Sequence, residues 1–186
     1  MESARLIAAG AGFVAAVAFL AGCVPAVPLP AKESSQYEFG VEAPRELVFD
    51  HLLRVGQDLN LNVQVLEKSS GLVRFENATL SSEQLDRYCL YPFVHATNSQ
   101  QPYDTFWNWN ARSLQGGGGP VTGRVSLTVL LTQDSAKSTA VNIRGNWGGG
   151  NTHEQYLLNS KAVLEKEVEQ KLKARLATQA TAPGRE

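Results

Sequence analysis

The sequence has almost no excess of positive or negative charge, and histidine and cysteine are scarce. Its 186 residues include 17 basic and 18 acidic side chains, which leave a formal net charge of −1. A nearly neutral chain without a run of basic residues gives no electrostatic reason to expect binding to nucleic acid or to anionic lipid. The length suits one domain with its own core, or one domain and a tether.

Sequence motifs for catalysis and metal binding are missing as well. The glycines of Gly116–Gly119 are not followed by a Lys-Ser/Thr pair and a helix, so they indicate a hinge and not a phosphate-binding loop. His51, His95 and His153 are scattered, whereas a metal site needs clustered ligands. No Gly-x-Ser-x-Gly nucleophile motif occurs. We therefore expect no enzyme activity and no bound metal. A cell-envelope hydrolase is the alternative, because folding can bring together two catalytic carboxylates that are far apart in the sequence.

The one long apolar stretch lies at the start of the chain. Residues 6–21 are apolar or small throughout and follow the positive charges of Arg5 and the amino terminus, as in a secretory signal. A membrane-spanning helix needs roughly 20 apolar residues, and this stretch is shorter and is followed by Pro25, Pro28 and Pro30. An uncleaved membrane anchor and an ordinary secretory signal are the two alternatives.

The end of this stretch, Leu20-Ala21-Gly22-Cys23, resembles the lipobox of bacterial lipoproteins. The resemblance implies that a diacylglyceryl group is attached to the Cys23 thiol, that the signal is cleaved between Gly22 and Cys23, and that the new amino terminus is acylated. Two or more acyl chains hold a protein on a bilayer for a long time. In enteric members of the family, Asp after the cysteine favours the inner membrane. Val24 therefore favours the periplasmic side of the outer membrane, with the inner membrane as the alternative.

Cys89 has no internal partner if Cys23 is lipidated. It lies in the apolar run Tyr88-Cys89-Leu90-Tyr91, which favours a buried, small hydrophobic side chain. The alternatives are an intermolecular disulfide or a reactive thiol, for which His95 is a conceivable base.

Residues 1–22 are thus the predicted signal peptide, and residues 23–35 are a lipidated cysteine followed by a proline-rich tether. About a dozen extended residues span some 30–40 Å, which would lift the domain from the bilayer. The alternative is that this segment packs on the domain.

The domain is predicted to cover residues 36–177 and to end in a flexible tail, 178–186. Period-two alternation indicates strands, and apolar residues at helical spacing indicate two helices. Ser81 and Gln84 have the spacing of a capping box at the start of a short helical turn. The main predicted elements are the strand Gln36–Glu42, the helix Pro44–Asp58, the hairpin strands Leu61–Val65 and Leu72–Glu76, a second hairpin over 123–147, and the helix Thr152–Ala177.

Residues 92–120 are predicted to form a long loop, and such loops tend to be functional or disordered. Exposed aromatic side chains mark interaction sites, so the candidate partner-binding residues are Tyr103, Phe106, Trp107 and Trp109. The alternative is that Phe106 and Trp107 close one end of the core. For Trp147 the strand alternation favours burial.

The element order β-α-β-β-β-β-α predicts an α+β fold, because helices with one apolar stripe must bury it against a sheet. We expect an antiparallel sheet of about five strands with two helices on one face. This order, together with the runs Leu85-Asp86-Arg87-Tyr88 and Leu164-Glu165, resembles the helix-grip domains of the C-type lipoprotein in the outer-membrane β-barrel assembly machinery. Some members of that group pair a cysteine after the tyrosine with one just before the final helix, where this chain has Asn159-Ser160-Lys161.

The resemblance implies an accessory or scaffold role without catalysis. The leading hypothesis is therefore a lipid-anchored envelope lipoprotein that faces the periplasm and binds an envelope protein, with the fatty acyl groups on Cys23 in place of any cofactor. The alternative is a carrier that holds a small apolar ligand between the long helix and the sheet.

Overall fold

In the computed structural model of the protein the described residues are 27–28, 35–90, 93–94, 105–153 and 155–181. The strands and helices that they form are β1 (Val27–Pro28), β2 (Ser35–Val41), α1 (Arg45–Asp58), β3 (Asn62–Glu67), β4 (Leu72–Ser81), α2 (Ser82–Tyr88), β5 (Phe93–Val94), α3 (Phe106–Gln115), β6 (Thr122–Ser135), β7 (Ser138–Gly150), β8 (Gln155–Leu158) and α4 (Val163–Thr181).

Six of these strands form one antiparallel sheet in the order β2-β7-β6-β4-β3, with β8 paired to the end of β7. The predicted α+β fold with an antiparallel sheet and a helix-grip arrangement is confirmed, with six strands where about five were expected. β1 pairs separately with β5. That pairing joins residues 27–28 to residues 93–94.

The long hairpin of β6 and β7 forms the centre of the sheet. On β6 every second side chain from Val125 to Leu131 is buried, and on β7 Val141, Ile143 and Trp147 are buried on the same face. This is the period-two pattern expected of a strand with one face against the core. The buried position of Trp147 is confirmed.

Helices α1 and α4 lie on that buried face and contact each other. Pro44 is the N-cap of α1, one residue before the helix, and its carbonyl oxygen accepts the N–H of Val48 at 3.1 Å. The buried stripe of α1 includes Val48, Leu52 and Val55, as the spacing predicted. The two helices therefore cover the apolar face of the sheet.

The short helix α2 begins with the predicted capping box. The Ser81 hydroxyl oxygen accepts the N–H of Gln84 at 3.2 Å, and the Gln84 side-chain oxygen accepts the N–H of Ser81 at 2.9 Å. Two backbone donors that lack helical partners are thereby satisfied.

The predicted start of the final helix, at Thr152, is wrong. Residues Gln155–Leu158 form β8, and α4 begins only at Val163. Ala162 has φ of 58°, a left-handed conformation that does not continue into a right-handed helix. At the other end α4 continues to Thr181, so the predicted tail shortens.

The prediction of a loop over all of 92–120 is wrong for Phe106–Gln115, which form α3. The Thr105 hydroxyl oxygen accepts the N–H of Asn108 at 3.1 Å and caps this helix. Aromatic residues and asparagine are mediocre helix formers, so the capping and the packing described below decide the conformation.

Candidate functional site

The predicted lipidation and partner-binding residues are only partly described. Gly22, Cys23 and Tyr103 lie outside the described residues. Trp107 lies in α3, and nothing is described of its side chain. The structure therefore places two of the predicted rings, Phe106 and Trp109.

Both of these rings point into the protein. Phe106 is completely buried and Trp109 is buried, with their ring centroids 6.1 Å apart. Trp109 also meets Tyr156 of β8 edge to face at 5.8 Å, and the Phe106 N–H donates to Asp86 Oδ1 of α2 at 2.8 Å. These contacts favour the alternative in which aromatic side chains of this segment close one end of the core, and they leave neither ring a surface for a partner.

The polar residues around α3 are used in the same way. Asn110 Oδ1 accepts the N–H of Val121 at 2.7 Å. The Ser113 hydroxyl donates to the carbonyl oxygen of Gly119 at 2.7 Å and accepts from Asn151 Nδ2 at 3.0 Å. These bonds fix the glycine-rich turn that leads into β6, so they hold the backbone and are not directed at a ligand.

A buried polar cluster lies where α4 begins. The Glu165 side chain is fully buried, and its Oε1 accepts from the hydroxyls of Ser35 at 2.7 Å and Ser160 at 2.9 Å. Trp147 Nε1, on β7, is also buried and has no hydrogen-bond partner among the described residues. A buried carboxylate needs such donors, because its desolvation is otherwise costly.

Cys89 adjoins this cluster and is buried, which confirms the interpretation as a small core residue. Burial, and secondarily the negative charge of Glu165, raise the pKa of the Cys89 thiol to about 12. Because the thiolate is the nucleophile, a thiol with so high a pKa is inert at neutral pH. The geometry therefore gives no support to a reactive Cys89.

The space between α4 and the sheet contains buried apolar side chains. Leu164, Val168 and Leu172 of α4 belong to the same core cluster as Leu127 and Ile143 of the sheet. No observation on this interface favours the predicted carrier of an apolar ligand.

The opposite face of the sheet carries polar side chains and some exposed leucines. Across β7, β6 and β4 one row consists of Arg144, Thr128 and Arg74, and the next consists of Asn146, Ser126 and Glu76. The helices α1 and α4 pack on the other side and do not cover this outer face. An antiparallel sheet commonly has one such solvated face.

A groove of about 370 Å³ crosses this face near the ends of β6 and β7. Arg74 forms one wall, where it donates to Ser126 Oγ at 3.0 Å and pairs with Glu76 at 3.0 Å. Leu157 of β8, 62% exposed, forms the other wall. The groove thus combines charged, amide and hydroxyl groups with the exposed apolar side chain of Leu157.

Arg124 lies over the floor of this groove. A Cβ atom at Gly148 would stand 3.3 Å from Arg124 Nε, so the absence of a side chain at position 148 lets the guanidinium group lie close to the backbone of β7. Glu76 balances the charge of Arg74. The side chains of Arg124 and Arg144 make no hydrogen bond or ion pair within the described part of the chain, so no acidic side chain there is bonded to either guanidinium group.

No group of three or more His, Cys, Asp and Glu side chains within the described ranges is arranged to hold a metal ion. No described helix is both long enough and apolar enough to cross a membrane.

The sequence analysis did not identify Arg124 and Arg144 as candidate residues. A signal was available, because the positions between the buried residues of β6 and β7 must point to the opposite face. What the sequence did not provide was the register of the sheet, which decides whether each arginine meets an acidic partner on the adjacent strands.

Comparisons with known proteins give distant structural likenesses and no family. No protein-family model and no curated protein sequence matches the chain. It is similar to the solved structure of norcoclaurine synthase from Thalictrum flavum in complex with dopamine and hydroxybenzaldehyde, with 9% identity and a TM-score of 0.41 over 97% of this chain and 100% of that one. Ara h 8.0201 is 7% identical, with a TM-score of 0.36 over 78% and 97% of the two chains. A DUF4468 family protein from Bacteroides ovatus is 8% identical, with a TM-score of 0.33 over 82% and 88%. At these scores the likenesses carry no argument about function.

Proposed function

We propose that the protein is a lipid-anchored envelope lipoprotein that acts as a non-catalytic binding module. Its lipid is attached to Cys23, its domain faces the periplasm from the outer membrane, and the outer face of its sheet holds an acidic segment of an envelope protein. The observation that carries the binding role is Arg124, exposed in a groove without an anionic partner among the described residues.

The anchoring part of the proposal rests on the sequence Leu20-Ala21-Gly22-Cys23. It is tested by growing cells with labelled palmitate and isolating the native chain. Label should enter the protein and should be lost in Cys23→Ser, because the cysteine sulfur is the attachment point. Label that persists in Cys23→Ser would refute the anchor and leave the binding role to be judged separately.

The binding part rests on charge and shape. An arginine with unused donors attracts carboxylates and binds them with directional hydrogen bonds. Leu157 beside it offers apolar area that a purely electrostatic site would lack. A segment that contains both acidic and apolar residues therefore fits this groove better than a uniformly charged one.

The binding role is tested by placing a photoreactive amino acid at Leu157 and crosslinking in intact cells. Mass spectrometry of the crosslinked peptides should identify a partner segment that contains Asp or Glu, and Arg124→Glu should abolish that crosslink. The matched control is Arg54→Glu, since Arg54 of α1 is also exposed and has no side-chain partner among the described residues, but lies away from the groove. A neutral or basic segment, or equal losses in both variants, would overturn the assignment.

A further inference from the structure

The strand β3 exposes every one of its six residues. Three of them are large and apolar, with Val63 and Val65 each 42% exposed and Leu66 54% exposed. Large exposed apolar side chains that are grouped together mark interaction surfaces. Three of them on one strand of six residues therefore require an explanation.

β3 also lies at an edge of the sheet. It pairs with β4 on one side, and no described strand pairs with its other side. Its outward N–H and C=O groups are paired with no described strand, and an edge with such groups can pair with another strand. The opposite edge strand, β2, instead presents Gln36 and Glu38 outward and half-buries Tyr37 and Phe39, which is the usual protection of an edge by polar residues.

The register of β3 on β4 shows which face each side chain occupies. Val63 lies opposite Phe75 and Leu66 lies opposite Val73, so both belong to the core face of the sheet. Val65 lies opposite Arg74 on the outer face. A bulge between Val63 and Val65 accounts for this change of spacing.

We propose that β3 pairs with β3 of a second copy of this chain, antiparallel and around a twofold axis. In the register that keeps core-face residues opposite core-face residues, Val63 lies against Leu66 of the second copy, and the symmetry produces this apolar pair twice. Asn62 then lies opposite Glu67 of the second copy, so no like charges face each other. This self-complementarity is the reason to choose a second copy over an unrelated strand.

The association is weak. Six residues on each side bury much less than the roughly 800 Å² per partner of a standard stable interface, and the bulge limits the number of regular backbone bonds. We therefore expect an equilibrium between monomer and dimer that shifts with protein concentration.

The register is tested with two cysteine variants of the full chain. Chains that carry Val63→Cys are mixed with chains that carry Leu66→Cys and are oxidised in detergent solution. In the proposed pairing the two α-carbons lie roughly 4.5–5.5 Å apart, within the range of a disulfide. Peptide mapping should find position 63 joined to position 66 in the mixture, whereas either variant alone should give little crosslinked dimer.

The apolar contact is tested by sedimentation equilibrium of Leu66→Lys, with Leu130→Lys as the matched control. Leu130 is 43% exposed on the outer face of the central strand β6, away from the edge. Leu66→Lys should raise the dimer dissociation constant about tenfold, because the substitution removes both symmetry-related apolar pairs from the dimer. Leu130→Lys should leave the constant unchanged. Circular dichroism checks that both variants are folded.

The possible contrary results are distinct. A chain that stays monomeric at the highest attainable concentration would overturn the proposal. So would a dimer that crosslinks at other positions, or one that Leu66→Lys and Leu130→Lys weaken equally. None of these results bears on palmitate labelling of Cys23, so the inference and the proposed anchor fail independently.

Discussion

Replacing Ser160 with cysteine should create a disulfide with Cys89. The two residues form an antiparallel bridge between the end of α2 and the segment before α4. The flanking bonds run from Leu90 N–H to the Asn159 oxygen and from Lys161 N–H to the Tyr88 oxygen, each 2.8 Å long. This is the pattern of a pair that does not itself share hydrogen bonds, in which the α-carbons lie roughly 4.5 Å apart, at the short end of the disulfide range.

The expected gain in stability comes mainly from the unfolded chain. A crosslink between positions 89 and 160 closes a loop of roughly 70 residues, which corresponds to about 4 kcal/mol of lost conformational entropy in the denatured state at 25 °C. Strain of the disulfide in the native state reduces the measured gain.

The same substitution removes a hydrogen bond to a buried charge. Ser160 Oγ donates to Glu165 Oε1 at 2.9 Å and accepts the N–H of Ala162 at 2.8 Å. The loss of a hydrogen bond to a charged group costs about 1.5–3 kcal/mol. Ser35 remains as a donor to the carboxylate, so the oxidised variant should be more stable than the parent by about 1–3 kcal/mol.

One variant therefore gives two results of opposite sign. Thermal unfolding followed by circular dichroism should show the oxidised Ser160→Cys chain unfolding above the parent, and the reduced chain unfolding below it. Ser160→Ala serves as the control that loses the hydroxyl without gaining a thiol. If peptide mapping finds no link between positions 89 and 160, or if the oxidised and reduced forms unfold at the same temperature, the assignment of the bridge is wrong.

Three further predictions concern individual side chains. Cys89, whose pKa burial raises to about 12, should react with a thiol reagent only as fast as the chain unfolds, and rapid reaction of folded protein would contradict its burial. The Glu169 pKa is held below its ordinary value by Lys173 and then by Tyr37. Its contribution to stability is therefore complete above the unfolded-state pKa and is lost as the pH falls through the lower folded-state pKa; urea titrations in acid should show a smaller loss in Tyr37→Phe. Ser81→Ala should destabilise the domain by about 1 kcal/mol through the lost capping box, and an unchanged urea midpoint would show that α2 does not need it.

The parts of the fold that the sequence predicted are those where one local signal suffices. The hairpin of β6 and β7 follows from strict alternation, because each strand has one buried face. Helix α1 follows from its apolar stripe, which ends where Asn60 adopts φ of 54°. The capping box before α2 needed only the two residues that form it.

The wrong boundaries have a common physical cause. Leu157 has the spacing of the α4 stripe, seven residues before Leu164, and this agreement extended the predicted helix too far. In the structure the backbone N–H and C=O groups of residues 155–158 instead form strand hydrogen bonds with the end of β7. Helix α3 was missed for the complementary reason, because its stability depends on the burial of Phe106 and Trp109 and not on helix propensity.

The buried Glu165 shows most clearly what a linear pattern cannot reveal. Its neighbours in sequence, among them Lys166 and Glu167, are charged, and such a run is typical of a solvated helix face. The carboxylate is buried only because Ser35 and Ser160, at the start of β2 and just before α4, donate to it. A buried charge that needs both donors allows one arrangement of those segments and penalises others. Since Ser35 is also the first residue of β2, this cluster joins the edge strand β2 to the start of α4.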